Sequence, residues 1–210
     1  MVDLPANPFK TALQKGRLQR GIWFTLRDSL AAEMLAGCGY DWMLIDTEHS
    51  PMAAPDVLSM LQAVAPYPVS PIVRPGSLDV AEIKKLLDLG AQSILVPMVN
   101  DVDMACEAVA AVRYPPEGLR GVSGMSRANR FGKVPGYHPR ASEAICLLVQ
   151  VESVEALGNI EEIAAVEGVD GIFVGPADLA ASLGHPGESS HPEVVDAVLD
   201  AVRRIAAAGV

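Results

Sequence analysis

Apolar residues in this chain alternate between two patterns. Short runs with little polar interruption occur at GIWFTL (21–26), DWMLID (41–46), VSPIVRP (69–75), SILVPMV (93–99), AICLLVQVE (144–152) and GIFVG (171–175). Such runs fit strands buried on both faces. Between them lie stretches at 29–38, 54–65, 79–89, 101–112, 153–166 and 192–208 with helical spacing of apolar positions. In DVAEIKKLLDLG these fall at Val80, Ile83, Leu86, Leu87 and Leu89, with Gly90 as the stop. Pro192 and Glu193 mark the first turn of the last helix. Strands separated so regularly by helices predict a parallel sheet with right-handed crossovers.

Two architectures satisfy that pattern, an open doubly wound sheet and a (β/α)8 barrel. No G-x-G-x-x-G follows the first strand, which weakens the dinucleotide-binding version of the open sheet. His49, Arg74, Gln150, Glu152 and Asp178 all fall at or just beyond the C-terminal ends of expected strands. Barrel enzymes assemble their sites in that way, so the barrel is favoured. One segment breaks the alternation. Residues 113–143 are Gly- and Pro-rich and carry Arg113, Arg120, Arg127, Arg130 and Arg140. They read either as a solvated surface loop or as a mobile cover whose arginines meet an anionic substrate.

Composition narrows the classes. A chain of 210 residues, 50% of them hydrophobic, suits one domain with a sizeable core, spanning 1–210. A net charge of −10 argues against nucleic acid as a partner, since phosphate binding needs a basic surface. Cys38, Cys106 and Cys146 are far apart and lack metal-ligand spacing, and are expected to be reduced, buried thiols. MVDLPANPFK has no basic leader, and no apolar run approaches the ~20 residues that span a bilayer. The expectation is a soluble cytoplasmic protein without a membrane partner.

The chemistry concentrates where strands end. YDWMLIDTEHSPM (40–52) stops on Asp46, Glu48 and His49. A histidine there is either structural or a general base, and Asp46 is close enough in sequence to orient its ring. Asp88, at the end of a helix, is a second candidate orienter. Arg74 ends an apolar strand, where a guanidinium needs an anion: a ligand carboxylate or enolate, or a structural salt bridge. Gln150 and Glu152, two apart on a strand, point to one face. Asp178 follows the next strand. Glu152 and Asp178 together can hold a hard divalent cation, leaving room for water and a chelating substrate. Their bland alternatives are a solvated strand end and a helix N-cap. A Schiff-base mechanism needs a lysine at a strand end, and Lys10, Lys15, Lys84, Lys85 and Lys133 do not supply one. His138, His185 and His191 carry no assigned role.

YDWMLIDTEHSP, PIVRP, LDLGAQSILVPMV, RYPPEGLRG, LLVQVES and GPADLAASLG occur in an order that resembles the HpcH/HpaI aldolases, from about residue 7 to 208. The resemblance implies a (β/α)8 TIM barrel of the phosphoenolpyruvate/pyruvate superfamily type. It implies a metal-dependent pyruvate aldolase using Mg2+, Mn2+ or Co2+, with pyruvate and an aldehyde as partners. In that scheme His49 is the base, Asp46 and Asp88 raise its basicity, and Arg74 stabilises the enolate. Glu152 and Asp178 ligate the metal, while Arg74, Gln150, Ala177 and Asp178 contact substrate. A homo-oligomer, typically a hexamer, is also implied. So are two further strand–helix units beyond the six read here, making 1–210 a C-terminally incomplete barrel domain. A CoA-thioester lyase of the citramalyl or malyl type and a non-catalytic barrel scaffold are the alternatives.

Overall fold

A computed structural model describes residues 3–210. The fold is α/β. Its strands are β1 (Gly21–Phe24), β2 (Trp42–Asp46), β3 (Ser70–Arg74), β4 (Ser93–Val96), β5 (Cys146–Val151) and β6 (Gly171–Val174). Its helices are α1 (Pro8–Gln14), α2 (Ser29–Ala36), α3 (Ala54–Val64), α4 (Val80–Asp88), α5 (Val102–Val112), α6 (Tyr137–Ala144), α7 (Val154–Gly158), α8 (Ile160–Ala164), α9 (Pro176–Ser182) and α10 (Pro192–Ala208). The six strands follow sequence order in the sheet, β1-β2-β3-β4-β5-β6. The β1–β2, β2–β3, β3–β4 and β5–β6 pairs are parallel. A closed eight-stranded barrel is not formed by the described residues.

The chain divides into two compact units. One runs to Ile94 and includes Ala110–Cys146; the other comprises Leu95–Val109 and Leu147–Val210. In the first unit β2 and β3 pair from Trp42↔Ser70 to Asp46↔Arg74, so both strands end at the same level. Met43, Leu44, Ile45, Ile72 and Val73 are buried, as expected for strands covered on both faces. Asp28 and Asp79 cap α2 and α4 by accepting backbone N–H groups of the first turn. In the second unit β5 is buried along its whole length. Val151 pairs with Val174, so β5 and β6 also end together.

Three local features depart from the sequence pattern. The helix expected at 153–166 is two helices broken at Asn159, whose side-chain amide donates to the Asn100 carbonyl at 2.8 Å. An amide that finds a backbone partner competes with the helix ladder. α1 was not anticipated; Asn7 caps it and its amide also donates to the Gln92 and Ala144 carbonyls. The 113–143 segment is largely exposed but tied down at defined points. It contains α6, buries Arg120 and Asn129, and is bonded to the end of α4 through Arg120–Asp88, Ala128–Asp88 and Arg127–Leu89. The cysteines are free, but only Cys146 is buried; Cys38 and Cys106 are exposed. No helix among the described residues is long and apolar enough to cross a membrane.

Candidate active site

Each unit carries a polar cluster at the C-terminal ends of its own strands. In the first unit the cross-strand pair Asp46–Arg74 forms the centre. Arg74 Nε donates to Asp46 Oδ1 at 3.0 Å and Nη2 donates to Oδ2 at 2.7 Å, a bidentate fork. Its Nη1 lies 2.8 Å from Glu48 Oε2, and its guanidinium carbon sits 4.8 Å from the centre of the Trp23 ring. Trp23 Nε1 donates to Asp46 Oδ2 at 3.0 Å, and the Glu48 and His49 backbone N–H groups donate to Oδ1. Arg74 is 4% exposed and Asp46 is 0% exposed, so this charge pair is removed from water. Burial pushes the Asp46 carboxyl up, but the Arg74 fork, the Trp23 indole and the Glu48 N–H outweigh it and hold the group below its usual value. Asp46 is therefore an anion at neutral pH.

That geometry changes two expected roles. Asp46 was expected to orient the His49 ring, yet it touches His49 only through the backbone N–H, and its carboxylate is committed to Arg74 and Trp23. The carboxylate nearest the ring is Glu48, with Oε1 3.9 Å from His49 Nε2. The His49 side chain is 64% exposed and reaches into solvent from the strand end. Asp88 is not part of the cluster. It is the last residue of α4, which runs antiparallel to β3 and β4 as their crossover, so it lies at the opposite end of the strands. There it accepts from Arg120 Nη2 at 2.8 Å.

In the second unit Gln150 and Glu152 are buried, as two residues on one face of β5 and its extension. Glu152 Oε1 accepts the Met98 backbone N–H at 2.8 Å, and Oε2 accepts the Gln150 amide. Met98 has a positive φ of 55°, an unusual backbone state for a non-glycine residue, in the turn that aims its N–H at Glu152. Gly175 closes over the pair: a Cβ there would lie 2.3 Å from Glu152 Oε2 and 2.7 Å from Gln150 Nε2. Only glycine fits. Pro176, Ala177 and Asp178 form the exposed first turn of α9. Gly175, not Asp178, is the N-cap residue, and Asp178 makes no side-chain hydrogen bond to any described residue. Glu152 is likewise no solvated strand end, being 2% exposed.

The donor set suits a divalent cation. Glu152 and Asp178 follow two paired strands and offer only carboxylate oxygen, the preference of a hard ion such as Mg2+ or Mn2+. No lysine lies at a strand end among the described residues. Lys10 is in α1, Lys15 ends it, Lys84 and Lys85 are in α4, and Lys133 is in the 113–143 segment. A cleft of ≈ 690 Å³ in the first unit is lined by Gln92, Arg127, Tyr137 and Ile145 and contains none of these strand-end residues. Sequence reasoning assigned no role to Glu48 or Trp23. Glu48 was visible as the acid beside His49; Trp23 was not, because only the β1–β2–β3 stacking brings it to Asp46.

The chain is similar to known enzymes over almost all its length. Residues 19–210 match the HpcH/HpaI aldolase/citrate lyase family. It is 57% identical to a hydroxypyruvate/pyruvate aldolase of Sagittula stellata, over 100% of this chain and 83% of that protein. It is 54% identical to a 4-hydroxy-2-oxo-heptane-1,7-dioate aldolase of Klebsiella pneumoniae, over 97% of this chain and 77% of that one. A crystal structure of a family protein from Burkholderia cenocepacia superposes with a TM-score of 0.94 at 42% identity, covering 98% of this chain and 82% of that one. The chain belongs to the HpcH/HpaI aldolase/citrate lyase family of carbon–carbon lyases.

Proposed function

We propose that this enzyme is a class II aldolase that cleaves 4-hydroxy-2-oxo acids to pyruvate and an aldehyde, and runs the reverse addition. The supporting observation is the Glu152 environment: a buried carboxylate held by Met98 and Gln150 under Gly175, with Asp178 in the first turn of the helix that follows β6 and no strand-end lysine. Because one relative is a hydroxypyruvate/pyruvate aldolase, pyruvate and hydroxypyruvate are the first substrates to test. Glu152 and Asp178 would hold the divalent ion, which when bound supplies Lewis acidity toward a 2-oxo acid.

The chain's own residues account for the remaining work. Breaking the C3–C4 bond sends its electron pair into the pyruvate fragment, and negative charge develops on the C2 oxygen. Arg74, fixed by Asp46 and Glu48, is a preorganised cation for that charge and costs no reorientation as it forms. The C4 hydroxyl must lose its proton as the aldehyde forms. His49 takes it, directly or through water. Gln150 orients Glu152, and the exposed backbone around Ala177 lies beside Asp178 for substrate contact. Asp46 serves Arg74 rather than His49.

The test is aldol cleavage and addition after chelation. Activity should vanish and return with Mg2+, Mn2+ or Co2+. Borohydride with pyruvate should leave the protein unmodified, because no lysine forms an imine. Activity that survives the chelator and is destroyed by borohydride would overturn the assignment.

A further inference from the structure

The most ordered chemistry outside the strand ends lies in the turn between α9 and α10. α9 ends in a Schellman motif: Gly184 adopts a φ of +88°, its N–H donates to the Ala181 carbonyl, and the His185 N–H donates to the Ala180 carbonyl. Two successive turns follow, Glu188 N–H to the His185 carbonyl and His191 N–H to the Glu188 carbonyl. This winding folds the loop back on itself. It stacks the His185 and His191 rings with centroids 3.6 Å apart and planes 18° apart. Pro192 then opens α10, and Glu193, in its first turn, accepts from or shares a proton with His185 Nε2 at 2.8 Å.

The His185–Glu193 bond explains two of these side chains but not the third. His191 Nδ1 is buried and has no hydrogen-bond partner among the described residues. Buried ring nitrogens are ordinarily satisfied. One ligand atom from each of His185, His191 and Glu193 lies within 4.8 Å of the others.

We propose that His185, His191 and Glu193 form a binding site for a first-row transition cation of the Zn2+ type. Two imidazoles and one carboxylate are a common donor set for that ion, with water in the fourth position. The set differs in kind from the oxygen-only pair Glu152 and Asp178, which favours harder ions. A tetrahedral ion with ~2.0–2.1 Å bonds holds its ligand atoms about 3.4 Å apart. The His185–Glu193 pair must open slightly to admit it, and the rings must turn out of their stack, since their lone pairs lie in the ring planes. Partial exposure of all three residues permits both movements. The bound ion would clip the end of α9, the helix that carries Asp178, to the start of α10.

The test uses the full-length protein, stripped of metal and held in saturating Mg2+ to occupy the oxygen-donor site. Titration with Co2+ should produce the visible absorption of a tetrahedral complex, saturating at one equivalent and displaced by Zn2+. His191→Ala and Glu193→Gln should each lose that band, while His138→Ala keeps it. Histidine NMR provides a readout that does not depend on variant folding: Zn2+ should shift the His185 and His191 ring signals and leave His138 in place. A wild-type titration without a tetrahedral band, or one identical in His191→Ala, would overturn the site. Because Glu152→Gln and Asp178→Asn should retain the band, failure of this site and failure of the aldolase metal site are distinguishable.

Discussion

The first unit buries two arginines, at opposite ends of its strands, and they are built from the same parts. Arg74 stacks on Trp23 at 4.8 Å and Arg120 on Tyr114 at 4.4 Å, and each pairs with an aspartate at 2.7–2.8 Å. They differ in how fully they are held. Arg120 meets one carboxylate through one nitrogen, and its Nε and Nη1 have no hydrogen-bond partner among the described residues. Arg74 engages Asp46 through a fork and Glu48 through its third nitrogen. One carboxylate neutralises a guanidinium; the second fixes its plane. The Arg120 end is a neutral structural pair, in which burial pushes the Tyr114 hydroxyl up to about 12 despite the nearby cation. The Arg74 end carries more negative than positive groups and presents the exposed His49 beside them. Orientation beyond neutralisation is the property that the proposed role of Arg74 would use.

This contrast can be broken in graded ways. The largest effect is expected from Arg74→Lys, which keeps the charge but loses the fork. Aldol cleavage should fall about a thousandfold, or ~4 kcal/mol in barrier, with only a small change in melting temperature. Steady-state kinetics beside a thermal melt checks both halves. Asp88→Asn should do the reverse. It leaves buried Arg120 without an anion and should cost roughly 2–3 kcal/mol of stability, below the full cost of a broken buried pair because Asp88 is 25% exposed. Urea unfolding measures that loss, and kcat/KM of the folded variant should stay at the wild-type value.

His49→Ala comes next: the proposed proton-transfer role predicts about a hundredfold lower cleavage rate, and the exposure of the ring predicts unchanged stability. Loss of metal affinity in that variant, measured by calorimetry, would make His49 a ligand instead. The smallest effect is in acid. The Asp46 carboxyl is depressed from its ordinary 3.8, so its stabilising contribution is complete above that value and is lost as pH falls through the lower, folded value. Unfolding free energy of the wild type should therefore decline below about pH 4 more steeply than that of Asp46→Asn.

What the sequence could show follows from range. Strand runs and helix periods are local, and the six strands fall within the six apolar runs. The start of α1 was equally local, in Asn7-Pro8, and could have been read. Arg74, Gln150, Glu152 and Asp178 were legible as polar residues at or just beyond strand ends because position after an apolar run is itself local. The Asp46 partner was not, because the register that sets Asp46 opposite Arg74 is a relation between strands. Nor could spacing show that Asp88 caps the far end of a crossover, where Arg120 folds back onto it from the 113–143 segment. His185 and His191 looked unremarkable six residues apart; two consecutive turns make them neighbours.

Proton exchange at C3 of pyruvate, followed by NMR in D2O, tests the central claim most directly, because it isolates enolate formation from any choice of aldehyde. Wild-type enzyme with Mg2+ or Mn2+ should exchange the methyl protons, chelation should stop exchange, and Arg74→Lys should nearly abolish it even with metal present. Undiminished exchange in Arg74→Lys, or exchange that continues in excess chelator, would contradict the proposed metal-dependent enolate chemistry and the part given to Arg74 in it.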